Sequence, residues 1–195
     1  MKKMIMPALA VAMIMIGGCA ESSTLIRASS TSVRSDIFQE LSNGGQAPAG
    51  YSDLRVTSSL KTHRPGVYSA KDIHGTPDYK LLLNIDGQAV QLQGNLREEI
   101  SEARGLYDSE AGEGIRYRFS FNMRLKAGTH KIVIAVPADD LAVEREITLT
   151  EGSNSLVLEP VYKATSGKRR TGIYPVTSYK KGIRSFKIIL NGKTI

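Results

Sequence analysis

The run Arg116-Tyr117-Arg118-Phe119-Ser120-Phe121-Asn122-Met123-Arg124-Leu125 decides the fold of this chain. Tyr117, Phe119, Phe121, Met123 and Leu125 share one parity, and Arg116, Arg118, Ser120, Asn122 and Arg124 share the other. Successive side chains of an extended strand point to opposite faces, so this alternation predicts a half-buried β-strand. Ala127-Gly128-Thr129 then predicts a turn, His130 to Val136 a β-branched strand, and Pro137-Ala138-Asp139-Asp140 a break. Leu141 to Thr150 reads as a third strand, Glu151-Gly152-Ser153-Asn154 as a turn, and Ser155 to Tyr162 as a fourth strand. Strands at this spacing, punctuated by turn residues, predict an all-β fold, an antiparallel, Ig-like β-sandwich. Its core is expected to hold the apolar set of the first strand together with Ile132, Ile134, Ile147, Leu149, Leu156 and Leu158.

Working outward, Leu54, Val56 and Leu60 predict a strand ended by His63-Arg64-Pro65-Gly66. Tyr79 to Ile85 predicts another, with the apolar run Leu81-Leu82-Leu83 inside it. Asp86-Gly87 is a turn signal, and Ala89 to Leu92 is placed to return antiparallel. Leu96, Ile100, Ala103 and Tyr107 fall at helical spacing, and Asn95 with Glu98 fits a capping box. The segment from 95 to 114 therefore reads as an inserted surface loop with a helical turn. Arg184 to Leu190 predicts the last strand, followed by a turn at Asn191-Gly192. The domain spans 51–195. Its length suffices for one ordinary core, and the 41% hydrophobic content is that of a globular chain. A single Cys excludes an internal disulfide.

The N-terminus has a different composition. Lys2 and Lys3 precede the apolar run Met4 to Ile16, which is short for a membrane span. It ends in Ile16-Gly17-Gly18-Cys19, which resembles the bacterial lipobox. That resemblance implies a signal peptide over 1–18, cleavage between Gly18 and Cys19, and a lipidated Cys19 carrying diacylglycerol and a fatty acyl chain such as palmitate. Each buried methylene contributes about 0.8 kcal/mol, so several chains together anchor stably. A secretory signal with a chance Cys, or an uncleaved helix, shares the basic and apolar parts. By the sorting rules of lipobox proteins, Ala20 points to the periplasmic face of the outer membrane. Residues 19–50 read as a lipidated tether with one short helix. Glu21 to Thr31 is Ser/Thr-rich and aperiodic. Val33, Ile37 and Leu41 recur at i, i+4 and i+8, which predicts the helix over 32–41, stopped by Asn43-Gly44-Gly45.

Within the body, Leu83-Asn84-Ile85-Asp86-Gly87 and the later Leu125-Lys126-Ala127-Gly128-Thr129-His130-Lys131-Ile132 resemble the PEGA-type β-sandwich modules of bacterial envelope proteins. The strand, Gly-containing turn and strand of Ile147 to Leu158 fits the close of such modules. The resemblance covers 79–162, without the signature Pro-Glu-Gly-Ala, and implies a non-catalytic module. The layout also resembles envelope lipoproteins of no assigned function.

Catalytic signatures are absent from the sequence. There is no Gly-x-Ser-x-Gly elbow, and the only Cys is the candidate for lipid. His63, His74 and His130 each lie within two residues of a Gly or Pro, at expected turns. The functional reading is a metal site joining them to Asp72 or Asp78; the spacings match no compact ligand motif, and no metal or cofactor is expected. Adjacent carboxylates at Asp139-Asp140 and Glu98-Glu99 point apart in extended chain, which suits solvation. Asp108, Glu110 and Glu113 offer oxygen ligands for calcium without the EF-hand spacing, and a solvated loop is the simpler reading.

Charge is unevenly spread. Nine basic residues and no acid lie in 163–195, whereas 19–162 holds 15 basic and 19 acidic residues. Lys168, Arg169, Arg170, Lys180 and Lys181 are the candidates for binding anions. In an envelope the available anions are lipid phosphates, lipopolysaccharide and cell-wall carboxylates, and nucleic acid is not an expected partner. The plainer alternative is a solvated face that neutralises the acidic part of the same domain. The expected function is that of a non-enzymatic, membrane-anchored envelope lipoprotein with a structural or interaction role, its partners envelope proteins, peptidoglycan or lipopolysaccharide. The alternatives are a module binding polysaccharide or anionic lipid and, behind it, a periplasmic hydrolase. Tyr51, Tyr68, Tyr107, Tyr174 and Tyr179 are the candidate platforms for a sugar.

Overall fold

Gly112–Lys126 is a 15-residue strand whose side chains alternate as its sequence does. Tyr117, Phe119, Phe121, Met123 and Leu125 are buried, and Arg118, Ser120 and Asn122 are exposed. The computed structural model describes residues 18–42, 46–103, 105, 108–164 and 177–195. In chain order the elements are helix α1 (Gly18–Ser29) and strands β1 (Phe38–Glu40), β2 (Tyr51–Thr62), β3 (Lys80–Ile85), β4 (Gln88–Gln93), β5 (Asn95–Ser101), β6 (Gly112–Lys126), β7 (Gly128–Val136), β8 (Leu141–Leu149), β9 (Gly152–Tyr162), β10 (Ile183–Leu190) and β11 (Lys193–Thr194). Single 3-10 turns occupy Pro137–Asp139 and Tyr179–Lys181.

The strands form two sheets, as an all-β sandwich requires. The larger runs β1-β6-β2-β9-β10-β11, with β5 also paired to β6; the smaller runs β4-β3-β7-β8. β2 and β6 pair antiparallel from Tyr51↔Lys126 to Thr62↔Ile115. β2 and β9 run parallel, from Ser52↔Gly152 to Ser58↔Leu158. This parallel pair is an exception to the antiparallel rule. It is permitted because β3 to β8 intervene between the two strands, far more chain than a parallel crossover needs. The inward residues of β3 and β7 (Leu81, Leu83, Ile85, Ile132, Ile134, Val136) meet Leu54, Val56, Leu60, Leu156, Leu158, Phe186 and Ile188 with the apolar row of β6. Every residue expected in the core is buried there.

The smaller sheet is buried on both faces. Leu82, Val133 and Ala135 lie outside the central cluster yet are at most 5% exposed. Helix α1 lies against β8, and the Ser29 carbonyl accepts a hydrogen bond from Asn84 Nδ2 at 3.0 Å. That explains the unbroken apolar run Leu81-Leu82-Leu83, since a strand covered on both sides has no polar face to alternate.

Two expectations are corrected. The short helix is α1, in the Ser/Thr-rich stretch, and not 32–41. Intrinsic propensity gives little for Ser22, Ser23 and Thr24, and packing on the smaller sheet outweighs it. Glu21 in its first turn and Arg27 in its last complement the helix dipole. In 32–41, Val33 is 79% exposed, so the apparent apolar stripe has no common partner. Phe38 instead pairs with Leu125 and meets Phe121 edge-on at 6.1 Å. The Gln88 amide clamps this strand, accepting from Ile37 N and Phe38 N and donating to the Phe38 carbonyl. The stop at Asn43-Gly44-Gly45 lies outside the described residues, as does the leader up to residue 17. The second correction is Asn95–Ser101, a strand paired with β6 from Asn95↔Arg118 to Ser101↔Gly112. Leu96 and Ile100, four apart, share a side of a helix and also of a strand, so their spacing does not discriminate. No helix among the described residues is long and apolar enough to cross a membrane.

Met123 is fully buried, whereas Asn122 beside it projects outward. Met123→Ala is expected to lower the unfolding free energy by about 2–5 kcal/mol, and Asn122→Ala to stay within about 0.5 kcal/mol. Urea denaturation of the two variants checks the register.

Candidate functional site

Titratable groups gather where β2 ends and the chain crosses to β3. His63 follows the last residue of β2, and the loop to Tyr79 folds back over it. The loop is pinned from β6 and from within: Tyr117 Oη donates to the Thr76 carbonyl at 2.7 Å, and Gly75 takes a positive φ of 76° against Pro65 and the His63 carbonyl. A Cβ at Gly75 would fall within 3 Å of both, so the closed loop needs glycine there. Closure brings Asp72 between two imidazoles. Its Oδ2 lies 2.5 Å from His63 Nε2 and its Oδ1 2.6 Å from His74 Nδ1. Oδ1 also accepts the His74 backbone N–H at 3.1 Å. The two rings are 4.7 Å apart, and His63 is 6% exposed.

A second carboxylate faces the far side of His74. Asp139 Oδ1 is 3.5 Å from His74 Nε2. It is supplied by the 3-10 turn after β7 and held by two donors, Tyr79 Oη at 2.6 Å and Ile183 N at 3.0 Å. Gly182, at φ 82°, lies so close that a Cβ there would collide with Asp139 Oδ1. Burial alone would raise Asp72, but the hydrogen bonds from His63 and His74 outweigh it and hold the carboxyl at about 2. Asp139 is lowered in the same way, against burial, by His74 and Tyr79. For His74 burial works downward, and the facing carboxylates of Asp139 and Asp72 reverse it, so its pKa is raised.

An adjacent cluster surrounds Lys61, which is fully buried. Its Nζ donates to Ser101 Oγ at 3.0 Å, the Glu110 carbonyl at 3.0 Å and the Gly112 carbonyl at 2.6 Å, and stands 5.0 Å from the Tyr179 ring centre. Three acceptors use all three ammonium protons. Burial lowers the Lys61 pKa, and Glu99 opposes the shift. Arg116 bridges Glu99 at 2.8 Å and Glu110 at 2.7 Å, and Tyr162 Oη donates to Glu110 at 2.7 Å. Hydrogen bonds from Arg116 and Ser101 hold Glu99 at about 2.

The candidates of the sequence fare differently. Asp108, Glu110 and Glu113 do not pool their oxygens around one point. Glu110 binds Arg116 and Tyr162, Glu113 binds Arg64 at 2.6 Å, and Asp108 accepts the Glu110 N–H. Ion pairs replace the expected solvated loop. Asp139 and Asp140 do point apart, but Asp139 is 8% exposed and fully engaged, which corrects its reading as a solvated carboxylate. His130 bonds Asp86 at 2.7 Å and the Lys126 carbonyl at 2.9 Å, at the opposite end of the sandwich. Lys180 and Lys181 are exposed, whereas Lys187 pairs with Glu159 at 3.2 Å. Lys168, Arg169 and Arg170 lie outside the described residues, as do Tyr107 and Tyr174. Tyr179 is core, not platform, at 1% exposure; Tyr68 is 60% exposed and Tyr51 37%. The backbone at Gly18 and Cys19 opens α1. Asp72 was in view from sequence, but Asp139 and Tyr79 were not, because they reach the cluster only through the pairing of β3 with β7.

A groove of about 550 Å³ lies at the other end of β2, lined by polar side chains that include Asp53, Arg55, Asn122, Ser153, Ser155 and Asn191. Asp53 is held by Arg124 through a two-bond contact at 2.6 and 2.8 Å.

The pH dependence follows from the shifts. His74 is raised above an unfolded value of about 6.5, so its contribution is complete below that pH and is lost as pH rises through the folded value. Asp72 is lowered, so its contribution is present above about 3.9 and is lost as pH falls toward about 2. In chelator-containing buffer the urea midpoint is expected to be highest between these limits, and His74→Gln should flatten the alkaline decline relative to the parent. Lys61→Ala would strand three acceptors in a buried site, at a cost of roughly 3–5 kcal/mol. Faster amide exchange across 110–114 would report it.

Searches against protein-family models, curated proteins and solved structures match nothing to this chain, so its reading rests on its own residues.

Proposed function

We propose that the protein is a non-enzymatic, lipid-anchored lipoprotein of the cell envelope, with a structural or interaction role at the periplasmic face of the outer membrane. The observation that carries this reading is Ile16-Gly17-Gly18-Cys19 behind a basic and apolar lead. The geometry supports it by continuity. Cys19 stands at the start of a 12-residue helix that lies against β8 and is tied to β3 through Ser29. Such a helix is about 18 Å long. Acyl chains on Cys19 would therefore hold the sandwich close to the bilayer, on a docked lead instead of a long free tether. The non-enzymatic part is supported by how the polar clusters are spent. The three protons of Lys61 meet three acceptors, and the Arg116 guanidinium is shared between Glu99 and Glu110.

The groove beside Asp53, which mixes polar side chains with Leu41 and Leu54, gives specific support to a second reading, a module for cell-wall or surface polysaccharide. Its amide, hydroxyl, carboxylate and guanidinium groups suit sugar hydroxyls, and its volume is that of a small-ligand site.

Mass spectrometry of the native N-terminal peptide should find Cys19 carrying a thioether-linked diacylglycerol, and Cys19→Ala should move the protein from the membrane fraction to the soluble one. A native chain that starts elsewhere, or a free Cys19 thiol, would refute the anchor. For the second reading, soluble peptidoglycan or lipopolysaccharide glycan fragments should shift amide signals of Arg55, Ser153 and Ser155. Unchanged signals at millimolar fragment would remove it.

A further inference from the structure

We propose that His63, Asp72 and His74 form a binding site for one divalent transition-metal ion of the zinc class, which staples the 63–79 loop to the end of the sandwich. One ligand atom from each of the three residues lies within 4.8 Å of the others. His63 Nε2 and His74 Nδ1 both turn toward the Asp72 carboxylate. Two imidazole nitrogens and one carboxylate oxygen are a donor set for a borderline cation, not for calcium or magnesium, which prefer oxygen alone. Three protein ligands leave a further position for water.

The surroundings match what such a site requires beyond its ligands. A ligating histidine is normally oriented by a carboxylate, a backbone carbonyl or a water on its other nitrogen. Asp139 occupies that place for His74, at 3.5 Å from Nε2, and is itself fixed by Tyr79 Oη and the Ile183 N–H. Tyr79 is the last residue of the loop before β3 and Ile183 the first of β10, so the outer shell ties the loop to the sheets. Among the described residues the buried Nδ1 of His63 has no hydrogen-bond partner, which leaves it to carry the ring proton when Nε2 serves as the ligand. The chemistry is ligand exchange only: each neutral imidazole binds through its unprotonated nitrogen and keeps its proton on the other, a cationic ring first releases one proton to solvent, and no oxidation state changes.

The site is independent of the lipid anchor, and its test uses the full chain in detergent micelles without an affinity tag. The chain has three histidines, so 15N-histidine labelling yields three ring systems. Zn2+ added to chelator-stripped protein should shift the ring nitrogens of His63 and His74 and leave those of His130 in place. Competition with a chromophoric chelator should give one zinc per chain, and Asp139→Asn should weaken binding by about 10–100-fold. Ring signals of His63 and His74 that do not move in excess zinc would overturn the proposal. So would a response shared by His130, or undiminished binding by a His63→Gln, His74→Gln variant. The labelling experiment needs no substitution, so a variant that fails to fold leaves the outcome decisive.

Discussion

A one-residue slip of β6 against β2 would carry Arg116, Arg118 and Arg124 between the sheets and put Tyr117, Phe119 and Phe121 into water. Burying even one unpaired guanidinium costs several kcal/mol, so the register has no close competitor. β6 is also the strand with most neighbours to satisfy. β2 runs along one of its edges for twelve residues, and β1 and β5 divide the other between them. With β6 in register, the inward parity of β2 is set, and through β2 that of β9 and then β10.

The outward face of β6 has consequences of its own. Arg116 must find anions, and it finds Glu99 on β5 and Glu110 in the acidic segment. Arg124 finds Asp53 on β2. These contacts explain why 95–101 is a strand. Its alternation is weak, and Ile100 is 78% exposed, but Glu99 on that strand faces Arg116 two registers from its pairing partner Gly114. Lys61 extends the same network inward, tying Ser101 to the carbonyls of Glu110 and Gly112. Polar satisfaction, more than apolar area, shapes this edge of the sheet.

That division marks what the sequence made legible. Long alternating or β-branched runs, and turns at Asp86-Gly87 and Asn191-Gly192, needed only local chemistry, and each element they announced is present. Helix α1 and strand β5 were hidden because each is stabilised by something distant in sequence, the smaller sheet in one case and β6 in the other. The candidate site was half legible. His63, Asp72 and His74 lie within one Pro- and Gly-bounded loop, so loop closure alone can gather them. Asp139 comes from 65 residues beyond His74, and only the pairing of β3 with β7 delivers it. Adjacent carboxylates at Asp139-Asp140 carry no mark of which one turns inward.

The two ends of the sandwich solve one problem with similar chemistry. Where strands leave a sheet, backbone groups lose their ladder partners and need others. At one end Asp86 accepts both His130 Nδ1 and the Lys131 N–H, joining the β3–β4 turn to the start of β7. At the other, Asp139 accepts Tyr79 Oη and the Ile183 N–H, joining the end of β7 to the starts of β3 and β10. Each carboxylate thus serves as a crosslink that a chain with one Cys cannot make by disulfide. The ends differ in what lies outside that crosslink. His130 spends its second nitrogen on the Lys126 carbonyl, and the contact is closed. His74 turns Nε2 toward Asp139 and Nδ1 toward Asp72, whose other oxygen meets His63, so donor atoms of three residues converge on one point. The same carboxylate–imidazole pairing therefore closes one end of the sandwich and, at the other, builds a place for a ligand.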